Sequence, residues 1–471
     1  MPLSAEQAAA VATELREAQD AERGELDVLR RYWTGRQRLP AVIPADAPAE
    51  IKELARVCRI NVISIVVDSL TQALFVDGFR TEVVPEPVED GGEPEPVDVD
   101  APHWQVWQAN RMDKRQSGLH RAAVAYGTAY AVVTPGEPVP VIRPYSPRLL
   151  TAMYGEDDDW PVRALVKRPN AGDWRLVDRE AVYTLRWQDS QFVPVSIAGL
   201  PPGLPGAPVV RYRDAEDLDL DDDAEPDDLR GGFVQNTTRV VAGQVAPLIP
   251  LQDQINLTSF MLKGAEWYSA FRQRWAIGWT PASPDEKMRS AASQLWTFDE
   301  DPQNMSLGEF EQTDLGGYLS ARESTLKYAA TLSQTPVHEL IGELVNLSAE
   351  ALAAAEAGRD RKVDERKTGL GESHEQLFQL VGRYIGVPVP DDAQVIWRDT
   401  SARSFAATVD GLGKLAQMLG VPAEELWPQI PGVTQQDVRR WKARAAQADP
   451  LTSLEAELAR QAEGVSEAAP L

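Results

Sequence analysis

The side chains best suited to metal binding or nucleophilic chemistry are few: four histidines, His103, His120, His338 and His374, and one cysteine, Cys58. The histidines form no H-E-x-x-H pattern and none has a second ligand four residues on, the spacing that sets two imidazoles on one helical face around zinc. They read as solvated or locally hydrogen-bonded side chains. A lone cysteine makes no internal disulfide, which fits a reducing compartment. Cys58 falls within an apolar helical stripe, away from any histidine, and reads as a small buried side chain. No G-x-S-x-G elbow is present, and Gly411-Leu412-Gly413-Lys414 lacks both the spacing of a phosphate loop and the strand that should precede one. Carboxylates are too numerous for any pair to stand out as acid and base. The residue types therefore predict no catalytic residue, no metal and no cofactor. Thirteen tryptophans, several beside arginine as in Arg31-Tyr32-Trp33, Arg272-Gln273-Arg274-Trp275 and Arg440-Trp441, could stack on nucleic-acid bases. In a chain this acidic they read first as interface anchors.

The acidity is large but localised. Lys and Arg number 47 against 72 Asp and Glu, a net charge of −25 over 471 residues, which disfavours blanket neutralisation of nucleic acid. Residues 85–102 and 214–228 contain 7 and 10 acids and no Lys or Arg. Without them 55 acids face 47 bases, a balance of −8 over the other 438 residues. Both runs are self-repelling and poor in core-forming side chains, so they are expected to be solvated excursions. The second lacks the turn glycine of a calcium loop.

Ser4 with Gln7 forms a capping-box start for a helix that runs to Gly35. A second helix is predicted over Glu50 to Phe75, with Ile51, Leu54, Val57, Ile60, Ile63, Val67, Leu70 and Leu74 as its apolar stripe. A third is expected over 104–125. From there to about 212 short β-rich runs are punctuated by Pro and Gly. Helices follow over about 248–272 and 315–334, separated by the β-like stretch WAIGWTP and a loop-rich segment. A helix of nearly forty residues spans Ser348 to Gly386, and the tail, 404–471, reads as short helices broken at Gly420, Pro428 and Pro431. The fold class is α+β, mainly helical. No segment reaches the roughly 20 apolar residues of a membrane span, and Met1 to Arg16 lacks an apolar signal core, so a soluble chain not secreted by that route is expected.

In this order the segments resemble the portal protein family of tailed bacteriophages, the head-to-tail connector, as found in siphophages of Gram-positive hosts. Tyr32-Trp33-Thr34-Gly35 with Leu39 resembles the family's Y-Y-x-G element, and Asn61 to Phe79 its N-x-x-x-x-I-V-D helix ending in Gly-Phe. Trp107 with Asn110 and Asp113, then Ala125-Tyr126-Gly127-Thr128-Ala129-Tyr130, is similar to the stretch leading into the wing strands. Pro247 to Asn256 resembles the opening of the first stem helix, and Asn346-Leu347-Ser348-Ala349-Glu350-Ala351-Leu352 the start of the tunnel helix, with Ala349 where the family commonly has Gly. The likeness is collinear from about residue 20 to 445.

The resemblance implies a homo-oligomeric ring of roughly twelve subunits at one capsid vertex, a closed cyclic assembly with heterologous interfaces. It implies a wing over 1–246, stem helices over 247–272 and 311–335 around a clip at 273–310, a tunnel loop and long helix over 336–386, and a crown over 387–471. Partners would be the terminase motor, the head-tail adaptor, the major capsid and scaffolding proteins, and double-stranded DNA in transit, with no membrane. The expected location is the virion, with the host cytoplasm during assembly. Channel-lining candidates are Leu340, Ile341, Glu343, Leu344, Val345, Asn346 and Leu347, with Lys263, Lys327, Arg359, Arg361 and Lys362 for intermittent phosphate contact. The basic residues read equally well as surface ion-pair partners of acids such as Asp360 and Asp364. Clip candidates are Arg272, Arg274, Trp275 and Trp279. A packaging enzyme would need a phosphate loop and a carboxylate nuclease cluster, which are absent. A head-tail adaptor would be shorter and would lack the helix, β clip, helix order.

Overall fold

A computed structural model of the chain describes residues 2–38, 43–80, 101–155, 159–215, 243–270, 274–277, 306–309, 314–342, 349–398, 405–430, 432–433 and 435–448. Residues 85–100 and 216–228 of the acidic runs, 343–347 of the expected tunnel loop, and Arg272 and Trp279 lie outside the described residues. The protein is α+β and mainly helical.

The chain begins with α1 (Ala5–Trp33), where the Ser4 hydroxyl accepts from Gln7 N–H and the Gln7 side chain accepts from Ser4 N–H. The predicted single helix over 50–75 is two, α2 (Ala49–Val57) and α3 (Val62–Gln72). Cys58, expected inside an apolar stripe, closes α2 as its buried C-cap, and Asn61 caps α3 by accepting from Ser64 N–H. The break holds because the Ile60 and Val62 amides donate to side chains of a distant helix instead of to preceding carbonyls.

After β1 (Val76–Arg80), the expected third helix also divides, into α4 (Ala101–Ala109) and α5 (Met112–Tyr126), at Arg111 with φ 54°. The corner explains the W-N-D spacing. Trp107 Nε1 donates to Asp113 across it at 2.8 Å, while the Asn110 amide donates to Pro140 O and its carbonyl accepts from Ile142 N–H.

Eight strands follow: β2 (Thr128–Thr134), β3 (Val141–Tyr145), β4 (Leu150–Met153), β5 (Arg163–Arg168), β6 (Asp173–Asp178), β7 (Ala181–Gln188), β8 (Gln191–Gly199) and β9 (Val209–Arg213). They form an antiparallel three-stranded sheet, β3-β2-β9, and an antiparallel five-stranded meander from β4 to β8. Period-two alternation gives the meander two apolar faces. Trp174, Leu176, Tyr183 and Leu185 meet Ala8, Ala12 and Leu15 of α1, whereas Val166, Val177 and Val182 meet Tyr130, Val132 and Val209 of the smaller sheet.

The second half holds α6 (Ile249–Ala270), the antiparallel pair β10 (Arg274–Ile277) and β11 (Ser306–Glu309), then α7 (Gly316–Ser333), α8 (Val337–Ile341) and α9 (Ala349–Ile385). Helices α6 and α7 pack together. The C-terminal half of α9 enters the main core through Leu370, Leu377, Phe378, Leu380 and Val381, with Phe378 stacked 4.1 Å from Phe79. Beyond it, β12 (Gln394–Trp397) pairs antiparallel with β1, an exchange the sequence reading missed by treating 387 onward as helical. The remaining described elements are α10 (Phe405–Leu419), α11 (Ala423–Leu426) and α12 (Gln435–Ala448). The Gly411–Lys414 stretch lies within α10, and Lys414 pairs with Asp410 one turn back.

Three of the four histidines, expected to be solvated or locally hydrogen-bonded, are instead buried with partners far along the chain. His103, His120 and His374 are all fully buried. His120 Nδ1 is 3.0 Å from Leu74 O, His120 Nε2 is 2.8 Å from His374 Nε2, and His374 Nδ1 is 3.1 Å from the Tyr212 hydroxyl. For two neutral imidazoles one proton arrangement satisfies all three contacts. Tyr212 donates to His374, His374 donates to His120, and His120 donates to the carbonyl. Burial favours those neutral rings, holding His120 down to about 4 and His374 well below its usual value.

Candidate functional site

Two constellations occupy the region where the second half meets the first. One is a joint made from residues that the sequence presents in three separate segments. Tyr32, at the end of α1, donates its hydroxyl to the Asp253 carboxylate of α6 at 2.8 Å. Burial, then that neighbouring carboxylate, pushes the Tyr32 phenol up to about 12. Asn61 Nδ2 donates to Trp33 O, and Gly35, at φ 68°, comes so near Asn61 that a Cβ would lie 3.3 Å from the Asn61 amide nitrogen. Gln252 of α6 accepts from Val62 N–H at 2.9 Å and donates back to Ile60 O, while Asn256 accepts from Ile60 N–H at 3.0 Å. The amides exposed by the α2–α3 break are thus capped by α6, which fixes the direction in which α6 leaves the body. The motif residues were visible in the sequence; their shared task was not, because the partners are about 190 to 220 positions apart.

The second constellation lies around α7, α8 and the start of α9. A cleft of about 610 Å³ is lined by Lys327, His338, Ile341 and Arg361, together with Glu323. Three of the predicted channel residues therefore share one surface. Lys327 pairs with Glu323 at 2.6 Å within α7, and among the described residues Arg361 donates to Ala357 O of its own helix. Lys263, on α6, pairs with Glu266 at 2.7 Å. These exposed one-turn pairs are weak, and their charges remain available to a passing anion. Leu340 packs partly against the main core.

Arg359 and Lys362 are drawn elsewhere. Arg359 pairs with Glu339 of α8 at 2.6 Å, tying the base of α9 to the short helix before it. Lys362 donates to Ser333 O at 2.9 Å and to the Gln244 carbonyl; the Gln244 amide then donates to Asp214. Arg366 reaches the same carboxylate through Nε at 3.0 Å. Asp214, expected to open a solvated acidic run, is instead almost fully buried at 2 % exposure. Burial raises its pKa against the opposing pull of Arg366, and burial lowers that of Lys362. The pattern failed to mark Asp214 because its partners lie far along the chain, on α9, while its sequence neighbours from 216 on are acids. Arg274 and Trp275 occupy β10, opposite Glu309 and Gly308 of β11.

Among the described residues no group of three His, Cys, Asp or Glu side chains could hold a metal ion, and no helix is long and apolar enough to cross a membrane. What this surface offers is sparse, partly neutralised positive charge beside apolar groups. Such a surface can touch phosphates without holding them.

No curated protein matches the chain. Among solved structures it is similar to a chain of the virion of a native gene transfer agent particle, at 12% identity and a TM-score of 0.47, covering 83% of this chain and 96% of that one. It is also similar to chains of the neck of the native particle computed with C12 symmetry (13%, TM-score 0.45, 80% and 91% covered) and the neck of the empty particle computed with C6 symmetry (12%, TM-score 0.43, 81% and 94% covered). A family model described as phage portal protein, SPP1 Gp6-like, matches residues 13–451, and the chain belongs to that family.

Proposed function

We propose that this portal protein closes into a ring of roughly twelve copies at one vertex of a capsid, around a channel through which double-stranded DNA is packaged and later ejected. Its role is structural and not enzymatic. In this reading 1–246 form the wing, 247–272 and 311–335 the stem helices, 273–310 the clip, 336–386 the tunnel loop and long helix, and 387–471 the crown. The clip, including Arg272, Arg274, Trp275 and Trp279, would dock the terminase motor and later the head-tail adaptor. Major capsid and scaffolding proteins would meet the ring in the host cytoplasm before it is carried in the virion, and the phage would be a siphophage of a Gram-positive host.

The observation that carries this reading is the family match over 13–451, which takes in the whole helix, β-pair, helix order. For the channel lining we infer Leu340, Ile341 and residues 343–347, with Lys263, Lys327 and Arg361 making brief phosphate contacts. Arg359 and Lys362, whose charges face Glu339 and Gln244, would serve there as ties at the base of the long helix. Negative-stain imaging of the purified protein tests the proposal. Rings with an axial hole are expected; a compact monomer at high concentration overturns it.

A further inference from the structure

A second basic surface lies away from the stem, at the corner where α5 meets β3. A cleft of about 550 Å³ is lined by Arg111, Lys114, Arg115, Arg143, Tyr145 and Ser146, a size that seats a short peptide segment or a compact ligand. The left-handed backbone at Arg111 (φ 54°) turns the chain so that Arg111, Lys114 and Arg115 gather beside Arg143 of β3. Arg115 is anchored, donating to Ile142 O at 3.1 Å. Burial, then the nearby Arg143 and Arg111 charges, lowers its pKa, and Arg143 likewise adds to the lowering at Arg175 on β6. These cations therefore feel one another.

None of the four makes an ion pair with an acid among the described residues, in a chain whose net charge is −25. Other arginines nearby are matched: Arg121 with Asp68, Arg148 with Asp27, Arg168 with Asp173. The acid closest in sequence, Asp113, is taken by Trp107 and Gln108. Like charges gathered without counter-charge cost stability, and an anion that enters between them removes that cost.

We propose that this cleft receives a carboxylate-rich tract of a neighbouring copy of the same chain. The inference rests on the ring reading given above. Guanidinium groups bind carboxylate and phosphate with similar forked geometry, so the choice between them turns on the rest of the molecule. The chain carries two tracts, 85–102 and 216–228, with 7 and 9 acids and no base, which are ligands of the required kind; Asp214, held inside by Arg366, is not one of them. Its net charge repels a DNA duplex at long range. A ring of like-charged copies, joined by heterologous contacts, needs patches of opposite sign to meet across each interface. The cleft supplies the positive half and the tracts the negative half.

The test uses full-length protein in which the acids of 85–102 and 216–228 are replaced by Asn and Gln, with Asp214 left in place beside Arg366, so that no internal tract competes. Fluorescent peptides of sequence 85–102 and 216–228, a short DNA duplex and inorganic phosphate are titrated against it, and against the same protein carrying Arg111→Glu and Arg143→Glu. Both positions are exposed, so the fold is retained; circular dichroism checks this. At least one acidic peptide should bind, weaken at least about tenfold in the double variant, and weaken again on raising salt from about 0.05 to 0.5 M. Absence of peptide binding, or peptide binding indifferent to the double variant, overturns the proposal. Binding of duplex or phosphate that depends on Arg111 and Arg143, without peptide binding, also overturns it and assigns a phosphate site. Rings without peptide binding sink the cleft alone, whereas peptide binding without rings sinks the ring reading and leaves the cleft.

Discussion

Buried charge and buried imidazole impose opposite demands at the residue scale. Asp214 and Arg366 have side chains exposed by only 1% and 9%, and they meet as an ion pair in the interior. Arg366→Met strands the carboxylate in the interior and is expected to cost about 3–5 kcal/mol, read as a fall in unfolding midpoint. The double change Asp214→Asn with Arg366→Met should recover a large part of that loss; equal loss in both would mean that the pair is not the unit. The His120–His374 pair is the reverse case, stable only while uncharged. Its folded-state pKa values lie below the unfolded value, to about 4 for His120, so the unfolded chain binds more protons once pH drops below about 6.5. Stability should therefore be level above that pH and decline steadily as pH falls through 6 and 5. His374→Gln can still accept from Tyr212 and donate to His120 but does not titrate. Its stability from pH 7 to 5 should fall less steeply than wild type, and parallel slopes would rule out this pair as the source.

At the scale of elements, α9 shows how one residue type can carry opposite consequences along one helix. Gly369 has open space where a Cβ would stand, so Gly369→Ala should stabilise by about 0.5–1 kcal/mol through helix propensity alone. Gly382 lies where a Cβ would come 2.5 Å from Val387 O and 3.1 Å from His103 Nε2. Gly382→Ala must displace the chain that turns back after α9, and is expected to destabilise by about 1–3 kcal/mol. Denaturant unfolding of both variants checks the sign. Helical periodicity alone does not separate the two glycines, because what a Cβ at Gly382 would meet comes from the returning chain at Val387 and from His103. Helices with dense periodic stripes, α1, α6, α7 and α9, were legible, as were the strands between residues 128 and 213, because their burial follows local period. The α2–α3 break was not, since its amides are satisfied by Gln252 and Asn256 of α6. Nor was the β1–β12 pair, whose halves are about 320 residues apart. At the site, the Lys327, Ile341 and Arg361 surface followed from collinearity with a known family. The inward turn of Lys362 did not, because Gln244 and Ser333 come from other segments.

For the whole molecule, the charge of −25 first argues against any dealings with nucleic acid, yet 17 of the acids fall in two tracts and the remaining body is near balance at −8. A body so near balance does not hold a duplex by blanket neutralisation of its phosphates. What should hold the assembly is apolar surface that a single chain leaves uncovered. Tyr328 and Leu332 on α7 are 66% and 55% exposed, with Leu319 on the same helix and Met261 on α6 also exposed. Large apolar side chains left exposed on α6 and α7 are ones that a neighbouring copy would cover. Tyr328→Asp with Leu332→Asp introduces two carboxylates where adjacent copies would meet, and like charges repeated at every interface repel. The same changes in the isolated chain touch solvent only and should move its stability by less than about 0.5 kcal/mol. Mass photometry at fixed protein concentration should show the wild type as a ring and the double variant as free subunits, with unchanged unfolding midpoints for the subunits. Rings that persist in the variant would place the subunit interface on another face and leave the exposed α6 and α7 residues to the channel or to a partner.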